Sequence, residues 1–363
     1  MHQGLATRPI AIAGLVNGVF GDPALYIDFR FEKRALLFDL GDVGALAPRK
    51  ILRLTDVFVS HAHMDHFAGF DRLLRVCLGR GTVLRLYGPP GFIAQVEHKL
   101  SAYTWNLVDR YPGDFTLLVH EVAPDWRLQS ARFRSRARFV REAQGERHCP
   151  GGVLLDDPAF RVRAAFLDHG IPCLAFAFEE KTHVNVWRNR LAEMGLRVGP
   201  WLAGLKRAVM DELPDDTRIR AWWRDRDGEH EHHVALGELK ARALELVQGE
   251  RLCYVTDVVY HEENAARVAR LAADADLLYI ETGFLARDAD QAARKLHLTA
   301  EQAGRMARAA RAKTVVPFHF SPRYMECEGE LRAELERARG AGLTGTEHSV
   351  DRDQMLAPPA GDH

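Results

Sequence analysis

The sequence predicts a layered α/β protein, and three observations lead there. Short apolar runs rich in β-branched and aromatic residues alternate with alanine-rich amphipathic stretches, the pattern of sheets covered by helices. Several apolar runs end on a possible ligand: 56–59 leads into Ser60 and His61, 252–255 into Thr256 and Asp257, and 314–318 into His319. Open α/β sheets place their binding crevice at such strand ends. The third observation is size, since 363 residues make one large α/β domain or two ordinary ones, with room for a sizeable core.

Taken in order, strands are expected at 35–38, 56–59, 82–86, 115–119, 160–165, 174–178, 252–255, 277–280 and 314–318. Ahead of them, the apolar run 10–20 is broken by Gly14, Asn17 and Gly18 and is too short to span a membrane. Residues 1–5 carry no basic leader, so no signal peptide is expected. Asp227-Gly228 reads as a hairpin turn. Thr299-Ala300-Glu301-Gln302 reads as a capping box opening a helix whose Ala300, Ala303, Ala307 and Ala310 form a small-residue face.

Composition narrows the function classes. A chain 47% hydrophobic and 27% charged is neither collagen-like nor wholly disordered. With 49 basic against 50 acidic residues the net charge is −1, so any nucleic-acid contact must be a local patch. One candidate is 132–139, where Arg132, Arg134, Arg136 and Arg138 alternate with smaller or aromatic residues. As a strand it lines four guanidiniums on one face, either to contact phosphates or to protect a solvated edge. The five cysteines are scattered and form no C-x-x-C pair, which argues against a disulfide framework or zinc ribbon and fits a reducing cytoplasm.

The densest chemistry is Ser60-His61-Ala62-His63-Met64-Asp65-His66, an H-x-H-x-D-H pattern directly after an apolar strand. Neutral imidazole nitrogen and carboxylate oxygen are the usual ligands of zinc, and a turn can aim them inward from both sides. This pattern is the signature of the metallo-β-lactamase-fold hydrolases, and the chain resembles their ribonuclease Z branch. Leu36-Leu37-Phe38-Asp39-Leu40-Gly41 matches the family's strand and turn ahead of the signature, and Leu86-Tyr87-Gly88-Pro89-Pro90-Gly91 resembles its "YGP-x-G" turn. His297-Leu298-Thr299-Ala300 is similar to its "HSTA" loop, and His319-Phe320-Ser321-Pro322-Arg323-Tyr324 to its "HFSPRY" ending. The family's glycine-rich opening is represented only by Ala13-Gly14-Leu15-Val16-Asn17-Gly18-Val19-Phe20.

The resemblance implies a four-layer αβ/βα sandwich, a single domain over 1–363 with an insertion-like segment at about 182–245. That segment stands where the family's tRNA-clamping arm arises. Its Glu193-to-Leu202 stretch resembles the arm's return, but 181–188 lacks the arm's glycines and prolines, so a reduced substrate arm is expected. A two-metal site is also implied: His61, His63 and His169 on one ion, Asp65, His66 and His319 on the other, and Asp257 bridging. Thr256 replaces the family's usual glycine before that aspartate. The implied cofactor is two Zn2+, with Mn2+ or Fe as alternatives. Asp65 is implied as general base, and His297, beside the positive end of a helix, is the candidate proton donor.

The function implied by the resemblance is that of a zinc-dependent phosphodiesterase of ribonuclease Z type, maturing tRNA 3′ ends from precursor tRNA as a cytoplasmic homodimer without a membrane partner. Two alternatives stay open: the same metals acting on a small ester such as a cyclic nucleotide or lactone, and a catalytically silent RNA-binding member. The intact seven-residue ligand set speaks against the latter. His230, His232 and His233 read as part of a solvated hairpin with adventitious metal binding as the alternative, and Trp222-Trp223 as core or interface packing with base stacking as the alternative.

Overall fold

A computed structural model describes residues 9–226 and 228–340. The opening at 1–5 and Asp227 of the expected turn lie outside the described residues. Eight strands form one sheet in chain order: β1 (Ala11–Leu15), β2 (Leu25–Phe29), β3 (Ala35–Phe38), β4 (Leu54–Phe58), β5 (Val83–Gly88), β6 (Thr116–Val122), β7 (Arg127–Arg134) and β8 (Arg141–His148). Strands β3 to β6 run parallel, and their flanks are antiparallel. A second sheet begins with β9 (Val153–Asp156), β10 (Phe160–Asp168) and β11 (Pro172–Glu180).

The chain then leaves this sheet for residues 180–250, which with 157–160 belong to a separate compact unit. That unit holds two ribbons, β12 (His183–Val186) with β15 (Leu244–Val247), and β13 (Arg218–Asp225) with β14 (Gly228–Ala235). They pack with helices Arg188–Glu193, Trp201–Met210 and Leu236–Ala243 around Leu191, Trp201, Leu205, Trp223, Leu236 and Leu239. Returning, the chain completes the second sheet with β16 (Arg251–Val255), β17 (Leu277–Glu281) and β18 (Thr314–Phe318), in the order β18-β17-β16-β11-β10-β9.

Alternation along each strand decides which layer a side chain joins. On one face of the first sheet, Leu37, Val57, Leu86, Leu117 and Val119 pack with helices Phe70–Cys77 and Phe92–Ser101. On one face of the second, Ala175, Ala177, Cys253, Leu278 and Ile280 pack with helices Glu262–Leu271, Ala300–Ala309 and Glu328–Gly340. The two remaining faces meet through aromatic rings: Phe176 lies 5.2 Å from Phe38 and 5.7 Å from Phe58, and Tyr254 lies 5.9 Å from Phe38. The result is the four-layer helix–sheet–sheet–helix sandwich. Strands buried on both faces read as continuous apolar runs, which is why the central ones were legible.

Each of the nine expected strands has its counterpart, and the expected hairpin forms, although Gly228 opens β14 opposite Asp225 instead of standing in the turn. The expectation of an arginine-lined strand over 132–139 is corrected. β7 stops at Arg134, the chain makes a tight turn through Ser135–Ala137, and Arg138 and Phe139 take left-handed backbones with φ of 52° and 54°. Asp114 causes the turn by accepting from Ser135 Oγ at 3.2 Å and Arg136 N at 3.0 Å. Arg132 and Arg134 both pair with Glu142 on β8, so no four-guanidinium face exists. β8 went unread because its REAQGERH sequence is polar and almost wholly exposed.

Candidate metal centre

The ends of five strands converge. β3 delivers Asp39, β4 leads through Val59 and Ser60 to His61, β10 leads to His169, β16 leads to Asp257, and β18 leads to His319. Three of these residues, Asp39, Asp257 and His319, have left-handed backbones with φ of 57°, 46° and 57°. Such conformations are disfavoured for side-chain-bearing residues and persist where the surroundings hold them, as at functional sites. After β4, His63 leads into the short helix Met64–Phe67, which carries Asp65 and His66. Two glycines seat this turn: a Cβ on Gly41 would lie 2.4 Å from the Asp65 carbonyl oxygen, and one on Gly69 would lie 2.1 Å from that of Gly41.

All seven residues expected as ligands come together. His61, His63, His169 and Asp257 offer ligand atoms within 4.8 Å of one another, and so do Asp65, His66 and His319. Asp257 faces both groups. Its Oδ2 lies 3.6 Å from His61 Nε2 and 3.4 Å from His169 Nε2, while its Oδ1 lies 3.4 Å from His66 Nε2 and 2.9 Å from His319 Nδ1. Asp65 Oδ2 lies 3.5 Å from His66 Nε2 and 3.4 Å from His319 Nε2. Thr256, the departure from the family's glycine, is buried and donates its hydroxyl to Asp257 Oδ1 at 2.9 Å.

On three of the histidines the other ring nitrogen is already engaged. His66 Nδ1 meets Asp39 Oδ2 at 2.9 Å, His169 Nδ1 meets the Leu296 carbonyl at 2.9 Å, and His61 Nδ1 meets Ser60 Oγ at 3.0 Å. Placing the proton on each Nδ1 leaves the Nε2 lone pair aimed into the cluster, the arrangement in which metal-bound histidines are held. Two of the buried inward-facing nitrogens, His61 Nε2 and His66 Nε2, have no hydrogen-bond partner. Buried polar atoms are rarely left so. A donor set of imidazole nitrogens and carboxylate oxygens, orphaned and convergent, fits divalent cations of the zinc type.

Electrostatics point the same way. Burial, reinforced by His66, pushes His61 strongly toward its neutral form. Burial would raise Asp257, but His66 and His319 outweigh it and hold the carboxyl well below its ordinary range. For His66 burial favours neutrality, yet Asp257 and Asp39 prevail and lift it to about 10. The cluster of Asp39, Asp65, Asp257 and Glu281 thus demands positive charge, which the histidines supply only by taking protons.

His297 sits beside the cluster, its ring 5.3 Å from that of His169 and 5.5 Å from that of His319. The expected capping box behind it is formed: Thr299 Oγ1 accepts from Gln302 N at 3.2 Å, and the Gln302 side chain accepts from Thr299 N at 2.9 Å. Sequence reading missed Glu281, whose Oε2 accepts from His297 Nδ1 at 2.8 Å. Its Oε1 accepts from Val258 N at 2.8 Å and Leu298 N at 3.3 Å, tying the Asp257 and His297 loops together. Burial opposes protonation of His297, but Glu281 outweighs it and raises the imidazole pKa. Glu281 ends β17, so the strand-end rule that flagged Asp257 and His319 also reaches it. Asp39, Ser60 and Tyr254 were missed as well; Tyr254 donates its hydroxyl to Asp39 Oδ2 at 2.9 Å. A cleft of about 240 Å³ lined by Asp65, His297, His319, Phe20, Phe284 and Phe320 opens here.

The arrangement has counterparts among known proteins. Residues 223–320 match a family model described as Beta-lactamase superfamily domain. A curated Ribonuclease Z from Deinococcus radiodurans is 34% identical over 313 residues, covering 85% of this chain and 89% of the relative. The chain belongs to the ribonuclease Z family. Another member, the Ribonuclease Z of Methanothermobacter thermautotrophicus, is 27% identical, with 85% of this chain and 84% of the relative covered. The family's fold also recurs in a metallo-beta-lactamase fold protein from Bacillus subtilis, which is 16% identical with a TM-score of 0.50, covering 90% of this chain and 93% of that one. Membership makes the chain a hydrolytic enzyme of the metallo-β-lactamase fold.

Outside the centre, the described residues offer no metal-holding group containing His230, His232 or His233. The rings of His230 and His232 instead stack on Trp223, each 5.4 Å from it, and Trp223 is buried in the core of its own unit. Trp222 is exposed. All five cysteines are free. No helix among the described residues is long and apolar enough to cross a membrane.

Proposed function

We propose that the chain is an endoribonuclease that matures tRNA 3′ ends with two bound divalent cations, zinc being the metal its ligands suit best. The observation that carries this reading is Asp257, whose two oxygens each face a separate histidine group. His61, His63 and His169 would hold one cation and Asp65, His66 and His319 the other, with Asp257 facing both groups. When bound, such a pair supplies an activated water nucleophile and neutralises charge on the phosphoryl group. Asp65, the partly exposed carboxylate at the mouth, accepts the proton of the nucleophile. His297 keeps Nδ1 on Glu281 and presents Nε2 to the leaving oxygen, so its proton goes to the departing group while Glu281 acts as a positioning residue.

The tRNA assignment is supported by the curated relatives, each named Ribonuclease Z. In this reading residues 182–245 form a reduced arm that holds the RNA away from the centre, and the enzyme works as a homodimer in the cytoplasm, where free thiols persist. The test is incubation with a precursor tRNA carrying a 3′ trailer, beside bis(p-nitrophenyl) phosphate. We expect cleavage after the discriminator base leaving a 3′-hydroxyl, about two zinc ions per chain, and loss of both activities in His63→Ala. Folded, fully active, metal-free protein overturns the reading. Cleavage of the small diester but not of precursor tRNA transfers it to a small-ester hydrolase.

A further inference from the structure

A cavity beside the centre has no role in the reading above. It measures about 650 Å³, and Asp168 and Gly170, the neighbours of His169 in the chain, form part of its wall. Such a volume suits a small-molecule ligand. Its apolar side is built from Trp126 and Phe166, whose rings lie 5.5 Å apart at 52°. Trp126 is held there at some cost: its φ is +62°, a region bulky residues avoid. Opposite it, Gly152 has no side chain, and a Cβ there would lie 2.8 Å from the indole. A strained backbone and a glycine thus cooperate to present one aromatic face.

The basic side is Arg163, Arg267 and Arg270. Arg267 is fixed, donating to the Phe166 carbonyl at 3.0 Å and pairing with Glu263. Arg163 pairs with Glu179 at 2.7 Å, but its Nε is buried without a hydrogen-bond partner. Arg270 is exposed and makes no hydrogen bond or ion pair among the described residues. The facing acid, Asp168, is occupied by Gly170 N at 2.7 Å and lies 3.5 Å from His261 Nε2. An aromatic platform beside an unspent guanidinium is the chemistry that receives a nucleobase and its phosphate.

We infer that this cavity is a nucleotide subsite for one unstacked nucleotide of the RNA chain flanking the scissile bond, the base lying on Trp126 and Phe166 and the phosphate on Arg270. The inference rests on the ribonuclease reading, deepening it by saying where single-stranded RNA is gripped. An RNA strand crossing the Asp168–Gly170 turn reaches the centre through His169 and the cavity through its neighbours.

The test separates the two readings. A labelled tetrauridylate is titrated against the wild-type chain and against Arg270→Glu, Trp126→Ala and, as a remote control, Tyr103→Ala; uridine 5′-monophosphate serves as competitor. We expect Arg270→Glu and Trp126→Ala to weaken binding about ten-fold, Tyr103→Ala to bind as wild type, and the mononucleotide to compete. On precursor tRNA the first two variants should lose about ten-fold more kcat/KM than on bis(p-nitrophenyl) phosphate, chiefly through KM. Arg270 is exposed, so its variant remains informative even if Trp126→Ala fails to fold. Wild-type binding and cleavage in Arg270→Glu overturn the subsite, as does a mononucleotide that binds without competing. Should wild-type enzyme ignore precursor tRNA while Arg270→Glu still weakens tetrauridylate binding, the tRNA reading falls and the subsite stands.

Discussion

Asp39 does not line the mouth of the centre, yet it organises the centre from behind. It is fully buried, its Oδ1 accepts from Ser60 N at 2.6 Å, and its Oδ2 accepts from Ser60 Oγ, Tyr254 and His66 Nδ1 at 2.9 Å each. Those bonds fix the tautomer and ring orientation of His66. Asp39→Asn keeps the shape but weakens that hold, and we expect metal affinity to fall by about 10- to 100-fold, read by zinc titration against a competing chelator. Glu281 supports the proton donor in the same way. If protonated His297 is the active form, kcat/KM falls as pH rises through its pKa. Glu281 is what raises that pKa, so Glu281→Gln should move the alkaline limb of the profile to lower pH. An unmoved limb would remove His297 from the donor role.

At the scale of elements, the centre depends on where strands stop and helices start. The helix Ala300–Ala309 begins two residues after Leu298, and its capping box, together with the pairing of Phe284 with Thr299, holds the His297 loop. Thr299→Ala removes the side-chain acceptor for Gln302 N and should cost about 1 kcal/mol in denaturant unfolding, with Thr299→Ser recovering most of it. The fold was legible because inner strands such as β3, β16 and β17, buried on both faces, carry nearly unbroken apolar runs. Part of what stayed illegible was polar: β8 has no alternation to read, and Arg132 to Arg138 alternated as a strand would until Asp114 bent the chain.

At the scale of the whole molecule, residues 180–250 leave and rejoin the main sandwich at adjacent points. Glu179 lies opposite Arg251 in the β11–β16 pair, and Glu180 N donates to the Glu250 carbonyl at 2.9 Å. Replacing 181–249 with an Asn-Gly turn therefore closes an ordinary antiparallel hairpin. We expect the shortened protein to fold, bind metal and hydrolyse bis(p-nitrophenyl) phosphate, while kcat/KM on precursor tRNA falls by on the order of a hundred-fold, as when a second contact on one ligand is lost. Equal loss on both substrates would mean that the unit supports the centre itself rather than the RNA.

The sequence by itself determined the layered class, the central strands, the capping box and the four ligand candidates of the H-x-H-x-D-H run, because apolar periodicity and a dense run of ligands are local signals, while His169, Asp257 and His319 were reached through the family resemblance. Only the tertiary structure decided which oxygen of Asp257 faces which histidines, that Asp39, Tyr254 and Glu281 hold the rings from behind, and that Trp126 and Arg270 share a cavity next to His169. The reason is separation along the chain. Asp39 and Tyr254 are 215 residues apart, and no local pattern carries a partnership that exists only once two sheets have packed face to face.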